Sequence, residues 1–166
     1  MQPTPNGRLH IGHGSGPYLR ADTLARAYRR DGHRVDIITG SDAYENWVEL
    51  AAAMQGEPVE QLCRIYHKSI GDDLKNIGVE VDVWIDPTSD EHRRSYFALH
   101  DAIVADVRQS GHVALEQERI LISRTGRPII GPWLVGLCPH CGESCGGNTC
   151  VACGLHFQPG GHLEKY

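Results

Sequence analysis

The residues best suited to chemistry in this sequence are four cysteines in two C-x-x-C pairs near the carboxyl end. Cys138 and Cys141 form the first pair, Cys150 and Cys153 form the second, and a glycine follows each pair. A C-x-x-C turn directs two thiolates at one point, so two such turns supply four tetrahedral ligands for zinc. Because sulfur would fill all four positions, the spacing predicts a structural zinc knuckle with no position open for a substrate.

Two other interpretations of these cysteines stay open. Disulfides require an oxidising compartment, for which the sequence shows no secretory signal, and a redox C-x-x-C motif needs only one copy. Cys145 lies between the two pairs, and we interpret it as a spare thiol, with an exchange for a neighbouring ligand left open. Cys63, on the apolar side of a predicted helix, is most simply a core residue.

A second candidate for chemistry is the segment PTPNGRLHIGHGSGPYLRAD, which places His10 and His13 among glycines at the start of a predicted helix. Residues at i and i+3 share one side of the first turn, where free amide groups and the helix dipole point the same way. Such a corner can hold phosphates, and Gly12 leaves room for a flat ring against the backbone. The glycine spacing does not match a dinucleotide-binding fingerprint, and no strand precedes it. An isolated His-x-x-His is also compatible with a surface feature or a stray metal pair.

Helices and strands must alternate to position these residues, and the hydrophobic pattern predicts that alternation. Helices are predicted over 17–31, over 43–55, from 58 through 70, and from 88 towards 111. Strands are predicted over 34–39 and 81–86. The turn at 40–42 follows the first strand, at the edge where open α/β sheets bind ligands, which favours a ligand role for Asp42.

From residue 112 the sequence pattern changes to a strand pair around the turn RTGRP that leads into the cysteines. We therefore expect residues 1–111 to form half of a parallel α/β domain, and 112–166 to form a small β and zinc insert with a loop at its end. With 40% apolar residues in 166, the chain suffices for one core plus a small appendage.

Composition also restricts the partners. The sequence has no apolar run of about 18 residues and no secretory signal, so we expect a cytoplasmic protein without a membrane partner. The formal net charge of −5 argues against nucleic-acid binding through a broad basic face.

The order of these features resembles the amino-terminal half of class I aminoacyl-tRNA synthetases. The shared order is Pro-x-x-Asn-Gly, His-Ile-Gly-His, a helix, Gly-His, and a strand ending in Gly-Ser-Asp. The double C-x-x-C after about 100 further residues narrows the resemblance to methionyl-tRNA synthetases, and it extends from Pro3 to Phe157. The resemblance implies a partial Rossmann-like (HUP-type) parallel sheet with a small β and zinc-knuckle insert.

The resemblance also implies roles for individual residues. Asp42 matches the aspartate that takes the ammonium group of methionine, and Thr4 stands where a tyrosine usually holds the methionine side chain. His10 and His13 match the histidines that contact the ATP phosphates and stabilise the charge that builds during activation. The positions matching the nucleotide pocket are Asn6, Gly7, His10, Gly12 and His13.

The function that this resemblance implies is ATP-dependent activation of methionine, or of an analogue, and its transfer to tRNA. ATP with Mg²⁺ would be a substrate, and zinc would be structural. The Lys-Met-Ser-Lys-Ser loop and the anticodon-binding domain of the family have no counterpart in the sequence. We therefore expect a fragment, a split subunit or a truncated form, with tRNA contacts in absent regions and a complementing carboxyl-terminal half as a partner. The alternatives are a non-catalytic paralogue that binds nucleotide, tRNA or protein, and a zinc-stabilised module for protein contact alone.

Overall fold

The structure, a computed structural model, describes residues 2–158, which divide into two compact units, 2–106 and 107–158. The sequence prediction puts the boundary near residue 111. The predicted second domain and its loop reach residue 166, so their last part, 159–166, lies outside the described residues. Within the described residues, no helix has both the length and the apolar character needed to cross a membrane.

The first unit begins with a loop and one continuous helical segment. The segment consists of α1 (Ile11–His13), one π-helical turn (Gly14–Tyr18) and α2 (Leu19–Arg30). Pro17 accounts for the wide turn, because proline has no N–H to donate and the N–H of the residue after the turn bonds to the Gly14 carbonyl. The helical segment therefore begins at residue 11 and not at the predicted residue 17.

The remainder of the first unit alternates helices with two strands. β1 (Ile38–Gly40) pairs in parallel with β2 (Val83–Ile85) in a register that places Thr39 opposite Trp84. The helices are α3 (Asn46–Gln55), α4 (Val59–Asn76) and α5 (Arg93–Gln109). A parallel strand pair with intervening helices confirms the predicted α/β class, although both strands are shorter than predicted.

Helix α4 carries most of the core of the first unit. One end of α4 places Leu62 and Cys63 against α3, and the other end places Ile70 and Leu74 in a second buried cluster with Tyr18. The apolar residues whose spacing predicts this helix are Val59, Leu62, Tyr66 and Ile70, and all four lie in or against these buried clusters.

The same kind of spacing predicts a common apolar face on α2 and α3 that includes Leu24, Tyr28, Trp47 and Met54, but these side chains are exposed. Tyr44, predicted with them, precedes α3 and is also exposed, although its ring stacks on Tyr96 of α5 at 5.2 Å.

The second unit contains two short antiparallel pairs. β3 (Leu121–Ile122) and β4 (Pro128–Ile129) flank the RTGRP turn, which confirms the predicted strand pair in a shorter form. A 3-10 turn (Gly131–Trp133) leads to β5 (Val135–Leu137), which pairs with β6 (Ser144–Gly146). The cysteine cluster is built on this second pair.

Gly40 at the end of β1 permits a close backbone approach immediately before Ser41 and Asp42. A Cβ atom on Gly40 would lie 2.2 Å from the backbone oxygen of Ile85 on β2. Since that atom belongs to the backbone of the paired strand, only a shift of the strand could relieve the overlap. Gly40 therefore keeps the two strands in register at the edge that carries the candidate site.

We expect Gly40→Ala to lower the free energy of unfolding by about 1–3 kcal/mol, the usual cost of forcing extra volume into a packed site. Urea denaturation followed by circular dichroism measures the change. Gly16→Ala is the matched control, since a Cβ there meets no atom within 4 Å. A helical alanine should leave stability unchanged or raise it. Equal effects of the two substitutions would contradict this account of Gly40.

Candidate functional site

A cleft of about 660 Å³ in the first unit brings together most of the residues predicted to contact ligands. One wall is the loop before α1, and the other is formed by the residues between β1 and α3 together with Ile70 of α4. The predicted site residues that line it are Thr4, Asn6, Gly7, His10, His13 and Asp42. Gly12 is outside this lining set.

His10 and His13 lie side by side at the start of the helical segment. Their ring centroids are 3.8 Å apart with an angle of 30° between the ring planes. Nδ1 of His10 accepts a hydrogen bond of 3.1 Å from the Gly12 N–H, so the neutral ring carries its proton on Nε2. A Cβ on Gly12 would lie 3.0 Å from the His10 ring, so the glycine makes room for an imidazole of the protein. The sequence prediction gave this space to a flat ligand ring.

His13 has an electrostatic environment suited to a ligand. Its buried Nδ1 atom has no hydrogen-bond partner among the described residues. A buried polar atom without a partner is unfavourable, and a bound anion or water can relieve that cost. Burial, and to a smaller extent the neighbouring His10, lower the pKa of His13 below its usual value. His13 is therefore mainly neutral at pH 7 in the free protein, and a bound anion would raise its pKa.

The loop that carries these histidines is fixed by residues distant in sequence. Asp73 of α4 forms an ion pair with Arg8 and accepts the Leu9 N–H at 3.3 Å, and the hydrogen bond from Arg8 keeps the pKa of Asp73 below its usual value. The Asp42 N–H donates to the Pro3 carbonyl at 2.9 Å. Sequence reasoning missed Arg8 and Asp73, because their pairing over 65 positions has no local signal.

The acidic side of the cleft contains a second carboxylate that sequence reasoning also missed. Glu45 directly precedes α3, and its Oε2 accepts a hydrogen bond of 2.7 Å from the Thr4 hydroxyl. Burial, together with the charge of Glu45 and a hydrogen bond to it, raises the pKa of Asp42 above its usual value. A local signal was present, since Glu45 is an acidic residue only three positions after Asp42.

A buried polar contact supports the backbone next to Asp42. The hydroxyl of Ser41 lies 2.7 Å from Nδ1 of His67 on α4, and the Trp84 ring of β2 stacks on His67 at 5.0 Å. Ser41 is buried, with 3% of its surface exposed. These contacts link the end of β1 to α4, so the same helix supports both walls of the cleft.

In the second unit, the four predicted zinc ligands lie together. The Sγ atoms of Cys138, Cys141, Cys150 and Cys153 are all within 4.8 Å of one another. The Cys138–Cys153 and Cys141–Cys150 separations are 3.7 and 3.6 Å. Four sulfurs around a tetrahedral zinc ion with Zn–S bonds of about 2.3 Å are about 3.8 Å apart, whereas a disulfide requires about 2.05 Å. The arrangement therefore fits a metal ion and does not fit disulfides.

Two similar backbone turns build this four-thiol group. The Gly142 N–H donates to the Cys138 carbonyl at 3.0 Å, and the Gly154 N–H donates to the Cys150 carbonyl at 2.8 Å. Both glycines have a φ of +75°, a conformation that side chains disfavour, which explains the glycine after each pair. Cys145 is buried in β6 and is not a member of the four-thiol group.

The protonation of the thiols makes metal binding dependent on pH. The backbone N–H of Cys141 donates to the Cys138 sulfur, which lowers the pKa of Cys138 to about 6. For Cys141, a backbone hydrogen bond at Glu143 acts to lower the pKa, but burial and the neighbouring thiols together raise it to about 12. Since a metal binds thiolates, binding must release protons from this cluster, and metal affinity should rise with pH.

Comparison with known proteins connects both sites to one family. The sequence profile of the family described as "tRNA synthetases class I (M)" matches residues 2–164. A methionine–tRNA ligase of Cutibacterium acnes is 30% identical over 159 residues, covering 95% of this chain and 26% of the relative. A methionine–tRNA ligase of Methanothrix thermoacetophila is 35% identical over 162 residues, covering 95% of this chain and 23% of the relative. The chain thus spans about a quarter of the length of these relatives.

The fold leads to the same group of proteins. The Mycobacterium tuberculosis methionyl-tRNA synthetase in complex with methionyl-adenylate matches with a TM-score of 0.53 and 29% sequence identity. The match covers 56% of this chain and 18% of that chain.

We expect the purified chain to hold about one zinc ion, and Cys150→Ser to lose it, because a hydroxyl is a poor replacement for a buried thiolate ligand. Elemental analysis and titration with a chelator at several pH values measure the content and the affinity. Cys145→Ser is the control and should retain zinc. Retention of zinc by Cys150→Ser together with its loss from Cys145→Ser would contradict the ligand assignment.

Proposed function

Since the chain belongs to the family of class I tRNA synthetases of the methionyl type, we propose that it supplies the ATP- and methionine-binding half of an enzyme that activates methionine and transfers it to tRNA. The cleft between the loop of residues 2–10 and the end of β1 carries this proposal, because it joins two histidines to a carboxylate. Phosphates would bind on the histidine side, and the amino acid would bind on the carboxylate side.

The activation step needs little proton transfer from the protein. A carboxylate oxygen of methionine attacks the α-phosphorus of ATP, a new P–O bond forms, and the bond to the pyrophosphate oxygen breaks. The methionine carboxylate is already ionised at neutral pH. Catalysis then depends on holding the two reactants in line and on stabilising the charge that builds on the phosphoryl oxygens.

The residues of the cleft can hold the two reactants and stabilise the developing charge. The stacked rings of His10 and His13 would donate hydrogen bonds to phosphate oxygens, and Nε2 of His10 is the donor atom of its neutral form. Asp42, on the opposite wall, would accept the ammonium group of methionine. Mg²⁺ bound to the substrate ATP would reduce the negative charge of the phosphates.

The four-thiol group would hold a structural zinc ion. Its sulfur separations of 3.6 and 3.7 Å support tetrahedral coordination with every position filled. A filled coordination sphere leaves no place for a substrate, so zinc would stabilise the small second unit. That unit has few other sources of stability, since its strands are only two or three residues long.

The remaining parts of the proposed function concern partners and location. The formal net charge of −5 supports tRNA contacts made mainly by other regions, such as a complementing carboxyl-terminal half. We also propose a cytoplasmic location, where tRNA is charged.

The Thr4–Glu45 hydrogen bond favours a second candidate function, which is nucleotide binding without activation of methionine. Thr4 is small, and its hydroxyl is engaged with a carboxylate at 2.7 Å. The methionine side chain would therefore meet a polar group at this point of the cleft, where an aromatic ring would have provided an apolar surface.

We expect His10→Ala and His13→Ala each to weaken ATP binding by about tenfold to a hundredfold, the loss associated with a hydrogen bond to a charged group. Isothermal titration calorimetry of the chain with Mg·ATP measures the affinity. His33→Ala is the matched control, since His33 is exposed and contacts Tyr28. Unchanged ATP affinity in both cleft variants would contradict the phosphate role of the histidines.

Methionine-dependent exchange of pyrophosphate into ATP distinguishes the two candidate functions. The assay is best made on the complete gene product, because this chain spans about a quarter of its relatives. Exchange that requires methionine supports the synthetase function. ATP binding without any exchange supports the second candidate.

A further inference from the structure

We propose that Glu45 is a specificity-determining residue, and that the carboxylates of Asp42 and Glu45 together receive the ammonium group of the amino acid. This inference rests on the proposed function, because it concerns the amino-acid end of the same cleft. It extends the role expected for Asp42 to a second residue. The ligand class is an α-amino acid whose amine is protonated, bound as the free amino acid or as its adenylate.

Glu45 and Asp42 lie three positions apart and both line the cleft. The charge of Glu45 contributes to the raised pKa of Asp42, after burial. The Thr4 hydroxyl donates to Oε2 of Glu45 at 2.7 Å from the opposite wall. The Glu45 side chain is therefore held towards the cleft by the Thr4 hydroxyl.

Two neighbouring carboxylates repel each other when both are ionised, which favours the binding of a proton or of a cation at this point. Among the ion pairs of the described residues, none includes Asp42 or Glu45. Arg8, the guanidinium that lines the same cleft, is engaged by Asp73. Within the part of the chain that the structure describes, the two carboxylates therefore have no cation partner.

An ammonium group matches this acidic end of the cleft. An ammonium group has three N–H donors, which can serve both carboxylates at once. Its binding would favour the ionised form of Asp42, and a proton held by that carboxyl would leave for the solvent. Burial and the Glu45 charge raise the pKa of Asp42, so Asp42 holds its proton to a higher pH than an isolated carboxyl would.

A pair of probes isolates the ammonium group. The first is a non-hydrolysable sulfamoyl analogue of methionyl-adenylate, and the second is the same molecule with its amino group replaced by hydrogen. The other titratable groups that line the cleft are Arg8, His10 and His13. Because both probes carry the same adenosine and sulfamoyl parts, the ratio of their affinities largely cancels the contributions of these groups.

We expect Glu45→Gln to reduce the preference for the amine-bearing probe by about tenfold or more, the range for hydrogen bonds to charged groups. Calorimetry between pH 5 and pH 8 should also show a shift. In the unaltered chain the preference should fall as the pH drops through the raised pKa of Asp42. In Glu45→Gln the fall should come at lower pH, because Asp42 no longer faces a second carboxylate.

Glu60→Gln is the matched control, because it removes one exposed carboxylate from the first turn of α4 outside the cleft lining. Urea midpoints of all variants show whether the fold is retained. One outcome would refute the role of Glu45 and leave the proposed function intact. In that outcome ATP and both probes still bind, and Glu45→Gln shows the same preference for the amine-bearing probe and the same pH profile as Glu60→Gln. If neither ATP nor either probe binds the unaltered chain, both proposals fail.

Discussion

The candidate site depends on one constraint, which is that the loop of residues 2–10 must be held by elements distant in sequence. The loop belongs to neither strand, so contacts with distant residues set its position, and two of them involve its backbone. Asp73 of α4 holds Arg8 and the Leu9 amide, and the backbone N–H of Asp42 holds the Pro3 carbonyl. The first contact places the histidine end of the loop, and the second places the Thr4 end beside the acidic pair. Both walls of the cleft therefore rest on α4 and on the end of β1, where Gly40 allows the close approach of β2.

The two walls of the cleft have complementary electrostatics. On one wall, burial keeps His13 mainly neutral, and an orphaned nitrogen gives it capacity for an anion. On the other wall, burial and the nearby Glu45 charge raise the pKa of Asp42, which favours a bound cation there. The ammonium group of an amino acid is a cation that suits the carboxylate wall. The phosphates of a nucleoside triphosphate are anions that suit the histidine wall. The cysteine cluster differs from the cleft, because its four thiols stabilise the second unit only when a metal ion replaces their protons.

Sequence reasoning succeeded where the signal was local. Cysteine spacing with trailing glycines predicted a group that the structure brings within 4.8 Å, and the apolar spacing of α4 identified its core face. It failed where a feature depends on a contact between residues distant in sequence, or on whether another element packs over an apolar face. Apolar spacing alone could not show that Leu24 and Met54 stay exposed, and helix-start signals could not show that a π turn at Pro17 lets the helix begin at residue 11. The Arg8–Asp73 ion pair could not be predicted, because the two residues are 65 positions apart. Glu45 could have been found from its spacing to Asp42.

The central claim is that the paired imidazoles at the start of α1 receive the phosphates of a nucleotide. NMR titration of the histidine ring resonances, with and without Mg·ATP, tests it most directly. Burial and the neighbouring ring hold the pKa of His13 below its usual value in the free chain, and a bound polyphosphate should raise it. We expect saturating ATP to shift the His13 titration to higher pH and to leave that of the remote His33 unchanged. A His13 titration that is the same with saturating ATP as without it would contradict the account.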